Sequence, residues 1–199
     1  MRNKTYTSRW NTEDNYKSNW IARSQKLLNL FDKYERQDGQ NYHFAEYGCG
    51  PNAPFSKLCE TRSSDCVTKY DIKKWDQTVN RIDLNAKNVL IPAANVCVFS
   101  GVLEYLNNVE DILTKSIEVS SYVFLSYYFT PLASQHIDEI CLKTINTRIN
   151  NGVRNHYTPK EIISIASSVG VISAMDLWDN GGTNHILMLL RNFNNESSD

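Results

Sequence analysis

Apolar and polar positions follow two rhythms along this chain, one helical and one of buried strands. Trp20, Ile21, Ser24, Leu27, Leu28 and Phe31 recur at helical spacing, which predicts an amphipathic helix over roughly residues 15–35. The run Tyr42–Tyr47 predicts a short first strand that enters a glycine pair, Gly48 and Gly50. Pro54 suits the first turn of a helix continuing through Phe55 to Cys59. Cys66–Tyr70 is rich in strand formers and ends at Asp71, and Arg81–Asn85 reads as another short strand. Val96–Phe99 is an uninterrupted apolar run, the pattern of a parallel strand covered on both faces. After Ser100-Gly101, the residues Val102, Leu103 and Leu106 predict a helix-like stretch; Ile112, Leu113, Ser116 and Ile117 form the next helical face. Tyr122–Tyr128, aromatic and β-branched, predicts a further strand.

The second half is more mixed. Ile137, Ile140, Cys141, Thr144 and Ile145 fit a helix that Asn150-Asn151-Gly152 closes. Thr158, Pro159 and Glu161 make a capping box, with the helix running to Gly170 as its C-terminal cap. Val171–Trp178 and His185–Arg191 are two strands joined by a hairpin-forming loop. A helix, repeated β-α units and a terminal hairpin predict an α/β fold with an open, mostly parallel sheet and helices on both faces. The chain divides into a polar leader and helix (1–38), a core (40–192) and a polar tail (193–199) predicted to be disordered, all in one domain. The leader's aromatics, Tyr6, Trp10, Tyr16 and Trp20, either pin it to the core or fold over a ligand.

Composition removes several function classes. With 21 basic and 22 acidic residues, the net charge of −1 exerts no global pull toward nucleic acid or an anionic membrane. Five cysteines without a C-x-x-C pair argue against a disulfide framework or a structural zinc site, and predict free thiols in a reducing compartment. Met1–Trp10 lacks the apolar segment of a signal peptide, and the most apolar region, Val89–Leu103, is too short and broken to span a membrane. A cytoplasmic protein is the resulting expectation.

The candidate chemistry begins at Glu46-Tyr47-Gly48-Cys49-Gly50. A strand, a glycine turn and a helix bring bare backbone N–H groups close to a polar ligand. Asp71 follows about 20 positions later at a strand end, where its carboxylate would accept hydrogen bonds from both hydroxyls of a ribose. Gly48, Gly50 and Ala53 with Asp71 also satisfy the spacing of a dinucleotide-binding turn, which keeps an NAD-dependent oxidoreductase open as a class. Glu46 two positions before the glycine and the terminal hairpin both count against it.

Several stretches together resemble the class I S-adenosylmethionine-dependent methyltransferases. Ala45–Gly50 is similar to their first motif, Asp71 to their ribose-binding acid, and Asp83-Leu84-Asn85 to the segment that contacts adenine. Val98–Leu106 is similar to their fourth-strand motif, and the C-terminal order to their reversed seventh strand. The resemblance covers roughly residues 40–192. It implies a Rossmann-like seven-stranded sheet with an antiparallel C-terminal strand, and S-adenosylmethionine as cofactor. It assigns Glu46, Gly48, Cys49, Gly50, Asp71, Asp83, Leu84 and Ser100 to that cofactor. The implied function is methyl transfer to a small-molecule or glycan acceptor, at a hydroxyl oxygen; a non-catalytic binding or scaffolding subunit of the same fold is the alternative. Pro51-Asn52 stands where many members carry a third glycine. Tyr105 stands where related small methyltransferases often carry His after Leu-Glu, and is a catalytic candidate by position.

For the acceptor, the segment after the fifth strand offers Tyr127, Tyr128, His136, Arg148, Arg154, His156 and Tyr157. His156 is the candidate base, because imidazole titrates in the useful range and it precedes a helix start over the expected cleft. Arg148 and Arg154 would clamp a phosphate or carboxylate. Each of the three is equally an ordinary surface or cap residue.

Overall fold

Burial of alternate strand residues on opposite faces accounts for the architecture. The computed structural model describes residues 17–62, 65–129, 139–179 and 184–193. Seven strands form one sheet: β1 (His43–Tyr47), β2 (Cys66–Asp71), β3 (Val79–Arg81), β4 (Val96–Ser100), β5 (Tyr122–Tyr128), β6 (Val171–Asp179) and β7 (Asn184–Arg191). Their order is β3-β2-β1-β4-β5-β7-β6, with β7 antiparallel to both its neighbours and the other pairs parallel. This is the predicted α/β sheet with its reversed final strand.

On one face, Phe44, Val96, Val98, Phe124, Leu187 and Leu189 pack with Leu27, Leu28 and Phe31 of α1 (Lys17–Tyr34) and Phe55 of α2 (Pro54–Cys59). The opposite face presents Ala45, Tyr47, Cys97, Phe99, Val123 and Leu125 to Ile112 and Leu113 of α3 (Val109–Glu118), and to Ile162 and Ala166 of α5 (Pro159–Val169). The alternation of neighbouring residues between the two sets is the period-2 geometry of a strand. α4 (Glu139–Asn150) lies between β5 and α5 in the chain. α5 begins with the capping box: Glu161 N–H donates to Thr158 Oγ1 at 3.3 Å, and Thr158 N–H to Glu161 Oε2 at 2.8 Å.

Four local expectations change. The strand expected over Arg81–Asn85 is β3, which ends at Arg81; Asp83 instead closes a turn, its Oδ1 accepting Asn85 N–H at 2.9 Å. The helix-like stretch after Gly101 reduces to one 3-10 turn, Leu103–Tyr105, because Leu106 is extended. Ile21 is 45% exposed, and the buried stripe of α1 continues instead through Ser24. Gly170 ends α5 in extended backbone (φ −167) rather than a left-handed cap; a side chain there would meet the Arg191 carbonyl. The expected tail disorder, and Tyr6, Trp10, Tyr16 and His136, lie outside the described residues.

Candidate functional site

Strand order reverses between β1 and β4, and in open α/β sheets a crevice forms at the C-terminal ends of such strands. Here β1 delivers Glu46 and the glycine turn, and β4 delivers Ser100 and Gly101. Gly48 N–H donates to the Tyr70 carbonyl at 2.8 Å, tying the turn to β2. Gly48 adopts φ +66, and a Cβ on it would sit 2.6 Å from Val102 Cγ2, so conformation and space both call for glycine. Gly50 also has positive φ, but a Cβ there would meet nothing within 4 Å, which leaves its face open. The Pro51-Asn52 departure is absorbed by a closed loop: Ala53 N–H reaches back to the Cys49 carbonyl at 3.1 Å, and Ala53 takes the left-handed conformation (φ 37) before Pro54 starts α2.

The Glu46 carboxylate points to α2. Its Oε1 accepts Phe55 N–H at 3.3 Å, and its Oε2 accepts both Ser56 N–H, at 3.1 Å, and Ser56 Oγ–H. A carboxylate on the first N–H groups of a helix satisfies donors that have no partner within the helix. Burial nevertheless pushes its pKa up from 4.5 to about 7. Asp71 Oδ2 accepts Gly50 N–H at 2.9 Å and its Oδ1 accepts Lys73 N–H at 3.0 Å, so the acid bridges the glycine turn and the segment after β2.

Two cavities adjoin at this crevice and share Gly48, Gly50, Gly101 and Tyr105. The smaller, about 200 Å³, is a largely apolar slot whose walls include Asp71, Trp75, Ile82, Asp83 and Leu84. Arg154 also lines it and donates to Asn107 Oδ1. The larger cavity, about 520 Å³, holds Glu46, Cys49 and Ser100 together with charged residues from α1 and α4.

Arg23 of α1 is the central charge of the larger cavity. Its Nε donates to Ser100 Oγ at 3.1 Å and its Nη2 to the Ser100 carbonyl at 3.0 Å. Burial pushes its pKa down, and the negative charges of Glu104 and Glu46 oppose that. Glu104 is buried, with Oε1 accepting Tyr128 N–H at 2.6 Å and Oε2 without a hydrogen-bond partner among the described residues; burial pushes it up. Arg148 of α4 is 4% exposed, donates Nη2–H to the Tyr128 carbonyl at 2.8 Å and lies 4.4 Å from that ring's centroid. His185 on β7 also lines the larger cavity, and burial with Arg23 and Arg148 lowers it to about 3.

Of the sequence candidates, Glu46, Cys49 and Ser100 line the larger cavity, Asp71, Asp83 and Leu84 the smaller, and Gly48, Gly50 and Tyr105 both. His156 lines neither: its Nδ1 is buried without a partner among the described residues, and burial and Arg148 push its pKa down. Tyr127 is fully buried, its hydroxyl donating to Asn155 Oδ1 and accepting Tyr157 N–H. Sequence reasoning passed over Arg23, Glu104, Trp178 and His185. A signal existed for two of them: Arg23 is a cation beside Ser24 on the apolar stripe of α1, and His185 directly precedes the apolar run Ile186–Leu190 of β7.

The chain matches no protein-family model and no curated protein sequence. Solved structures share its fold. The N-terminal domain of EvdMO1 with SAH bound has a TM-score of 0.59 at 9% identity, over 87% of this chain and 81% of that one. N-methyltransferase NodS from Bradyrhizobium japonicum WM9 has 0.58 at 13%, over 91% and 99%. Magnesium protoporphyrin IX methyltransferase from Synechocystis PCC 6803 with bound SAH has 0.58 at 14%, over 88% and 83%. The fold is therefore the class I methyltransferase fold.

Proposed function

We propose that this protein is an S-adenosylmethionine-dependent methyltransferase acting on a small-molecule or glycan acceptor, at a hydroxyl oxygen. The observation that carries this reading is the pair of cavities meeting at Gly48, Gly50, Gly101 and Tyr105. An apolar slot with carboxylates among its lining residues, adjoining a charged chamber, suits a nucleoside joined to an amino-acid tail. The residues fit that group: Gly50 offers a face with no atom within 4 Å of a Cβ position, so backbone approaches the ligand directly.

In this reading Asp71 holds the ribose, and Asp83 and Leu84 frame the adenine. Gly48, Cys49 and Gly50 admit the chain between, and Ser100 with Arg23 receives the methionyl carboxylate. Glu46 acts at one remove, by fixing α2 against the glycine turn. The bound cofactor supplies an activated methyl group; the protein positions the acceptor and excludes water. The acceptor falls in the larger cavity beside Tyr105, Arg148 and His185.

Calorimetry tests this directly. S-adenosylhomocysteine is expected to bind the purified protein, and NADH is expected not to. The reverse preference would replace the reading with a dinucleotide-dependent one.

A further inference from the structure

Tyr128, His185 and Trp178 face one another across three adjacent strands. His185 pairs with Tyr128 of β5 on one side and with Trp178 of β6 on the other. Its ring lies 5.3 Å from that of Tyr128 at 32° and 5.4 Å from that of Trp178 at 31°. All three line the larger cavity, and the methyl-transfer reading assigns none of them to the cofactor.

We propose that this row is the acceptor subsite and that it takes a flat molecule whose reacting group is an acidic hydroxyl, a phenol or an enol, bound as its anion. The proposal rests on the methyl-transfer reading and specifies its acceptor.

Shape supplies the first argument, since a row of three rings, each tilted by 31–32° to the next, offers face and edge contacts to a planar partner. Charge supplies the second. Lys143 and Arg148 from α4 line the same chamber, beside Arg23 of α1, which the methyl-transfer reading gives to the methionyl carboxylate. Of the two acids there, Glu46 is held at the start of α2, and Glu104 is buried, with Oε1 on Tyr128 N–H and Oε2 without a partner among the described residues. An amine acceptor would gain positive charge among these cations during attack, whereas an oxyanion loses its negative charge while held by them.

The tautomer of His185 supplies the third argument. Its neutral ring carries one proton. Nδ1 is buried and has no hydrogen-bond partner among the described residues. An N–H without a partner in such a place is rarer and costlier than a lone pair, which assigns the proton to Nε2. His185 therefore donates to an oxyanion and accepts no proton from an ordinary alcohol. The groups around it, Arg23, Arg148, Tyr128 and Trp178, contribute no base, and the unpartnered Oε2 of Glu104 is itself buried away from solvent. An aliphatic hydroxyl would find nothing to deprotonate it, while an acidic one releases its proton to water beforehand. The acceptor oxygen then gives an electron pair to the methyl carbon of S-adenosylmethionine, and the pair of the broken carbon–sulfur bond stays on sulfur.

The test uses 4-nitrophenol, whose anion is coloured, against 4-nitrobenzyl alcohol and 4-nitrobenzylamine, each with protein saturated with S-adenosylhomocysteine. Nitrophenolate absorbance is expected to rise on binding below the solution pKa of the probe, with affinity at least about tenfold above the other two, the size of one hydrogen bond to a charged group. His185→Leu is expected to remove that preference, and His185→Gln, which keeps an N–H donor, to retain most of it. S-adenosylhomocysteine binding and the melting temperature serve as controls for both variants. Equal affinities, binding of neutral nitrophenol, or an amine preference would overturn the proposal. Failure of S-adenosylhomocysteine itself to bind would instead overturn the methyltransferase reading.

Discussion

Gly101 and Arg23 are spatially matched: a Cβ on Gly101 would lie 2.4 Å from Nη2 of Arg23. The glycine, at φ +73, is what lets the guanidinium of α1 lie flat against the end of β4. Gly101→Ala is expected to push Arg23 off Ser100 and weaken S-adenosylhomocysteine binding by about tenfold, equivalent to about 1.4 kcal/mol. The left-handed backbone adds a stability cost of about 1–2 kcal/mol for a residue with a Cβ. Calorimetry and a thermal melt separate the two effects; unchanged affinity in a folded variant would free Arg23 of any role with ligand.

Asp71→Ala removes the acceptor of both Gly50 and Lys73 N–H groups. The expected result is a loss of at least about tenfold in S-adenosylhomocysteine affinity. The far-UV circular dichroism spectrum is expected to stay the same, because the change lies at a strand end. An unchanged dissociation constant would mean that the smaller cavity holds no ribose.

Two buried groups bend the pH dependence of stability in opposite senses. Glu46 has its pKa raised from 4.5 to about 7, so between these values the folded protein holds a proton that the unfolded chain has released. Stability therefore falls as pH rises through that window, by an amount on the order of 3 kcal/mol. His185 is lowered from 6.5 to about 3, so there the unfolded chain binds the extra proton and stability falls as pH drops. Urea melts from pH 4 to 8 of Glu46→Gln and His185→Gln, each subtracted from the parent, are expected to give slopes of opposite sign. Slopes of the same sign would contradict one of the two environments.

Phe31 is the hub of an aromatic cluster. Its ring lies 4.8 Å from Tyr42, 5.9 Å from Phe44, 5.4 Å from Tyr122 and 5.2 Å from Phe124. Phe31→Ala is expected to cost about 3–5 kcal/mol of folding stability through lost burial and a residual cavity. Because α1 also carries Arg23, the same variant is expected to bind S-adenosylhomocysteine less tightly. Denaturant titration and calorimetry check both.

The elements readable in the sequence are those whose signal is local or uniform. Val96–Phe99 and Ile186–Leu190 are apolar throughout because both faces of the sheet are covered there. The capping box of α5 needs only Thr158, Pro159 and Glu161. Short segments fared worse: β3 hands over to a turn after Arg81 because the Asp83 carboxylate accepts the backbone N–H two residues on, an alternative that propensity does not rank. The cavity residues are harder still. Arg23 meets Ser100 across 77 positions, and His185 meets Tyr128 only through the placing of β7 beside β5. Periodicity says that such residues are inside, not what they face. His156 shows the same limit from the other side, since its place before a helix start says nothing about whether it meets the cavity.

The position of β7 bears on how the protein is made. This strand enters between β5 and β6 and carries five consecutive residues, Ile186–Leu190, that are essentially inaccessible to solvent. A nascent chain that stops short of it would present two unpaired strand edges and no His185. Neither the central sheet nor the wall of the larger cavity can close until the ribosome has delivered residue 191, so waiting for that strand is built into the birth of the protein.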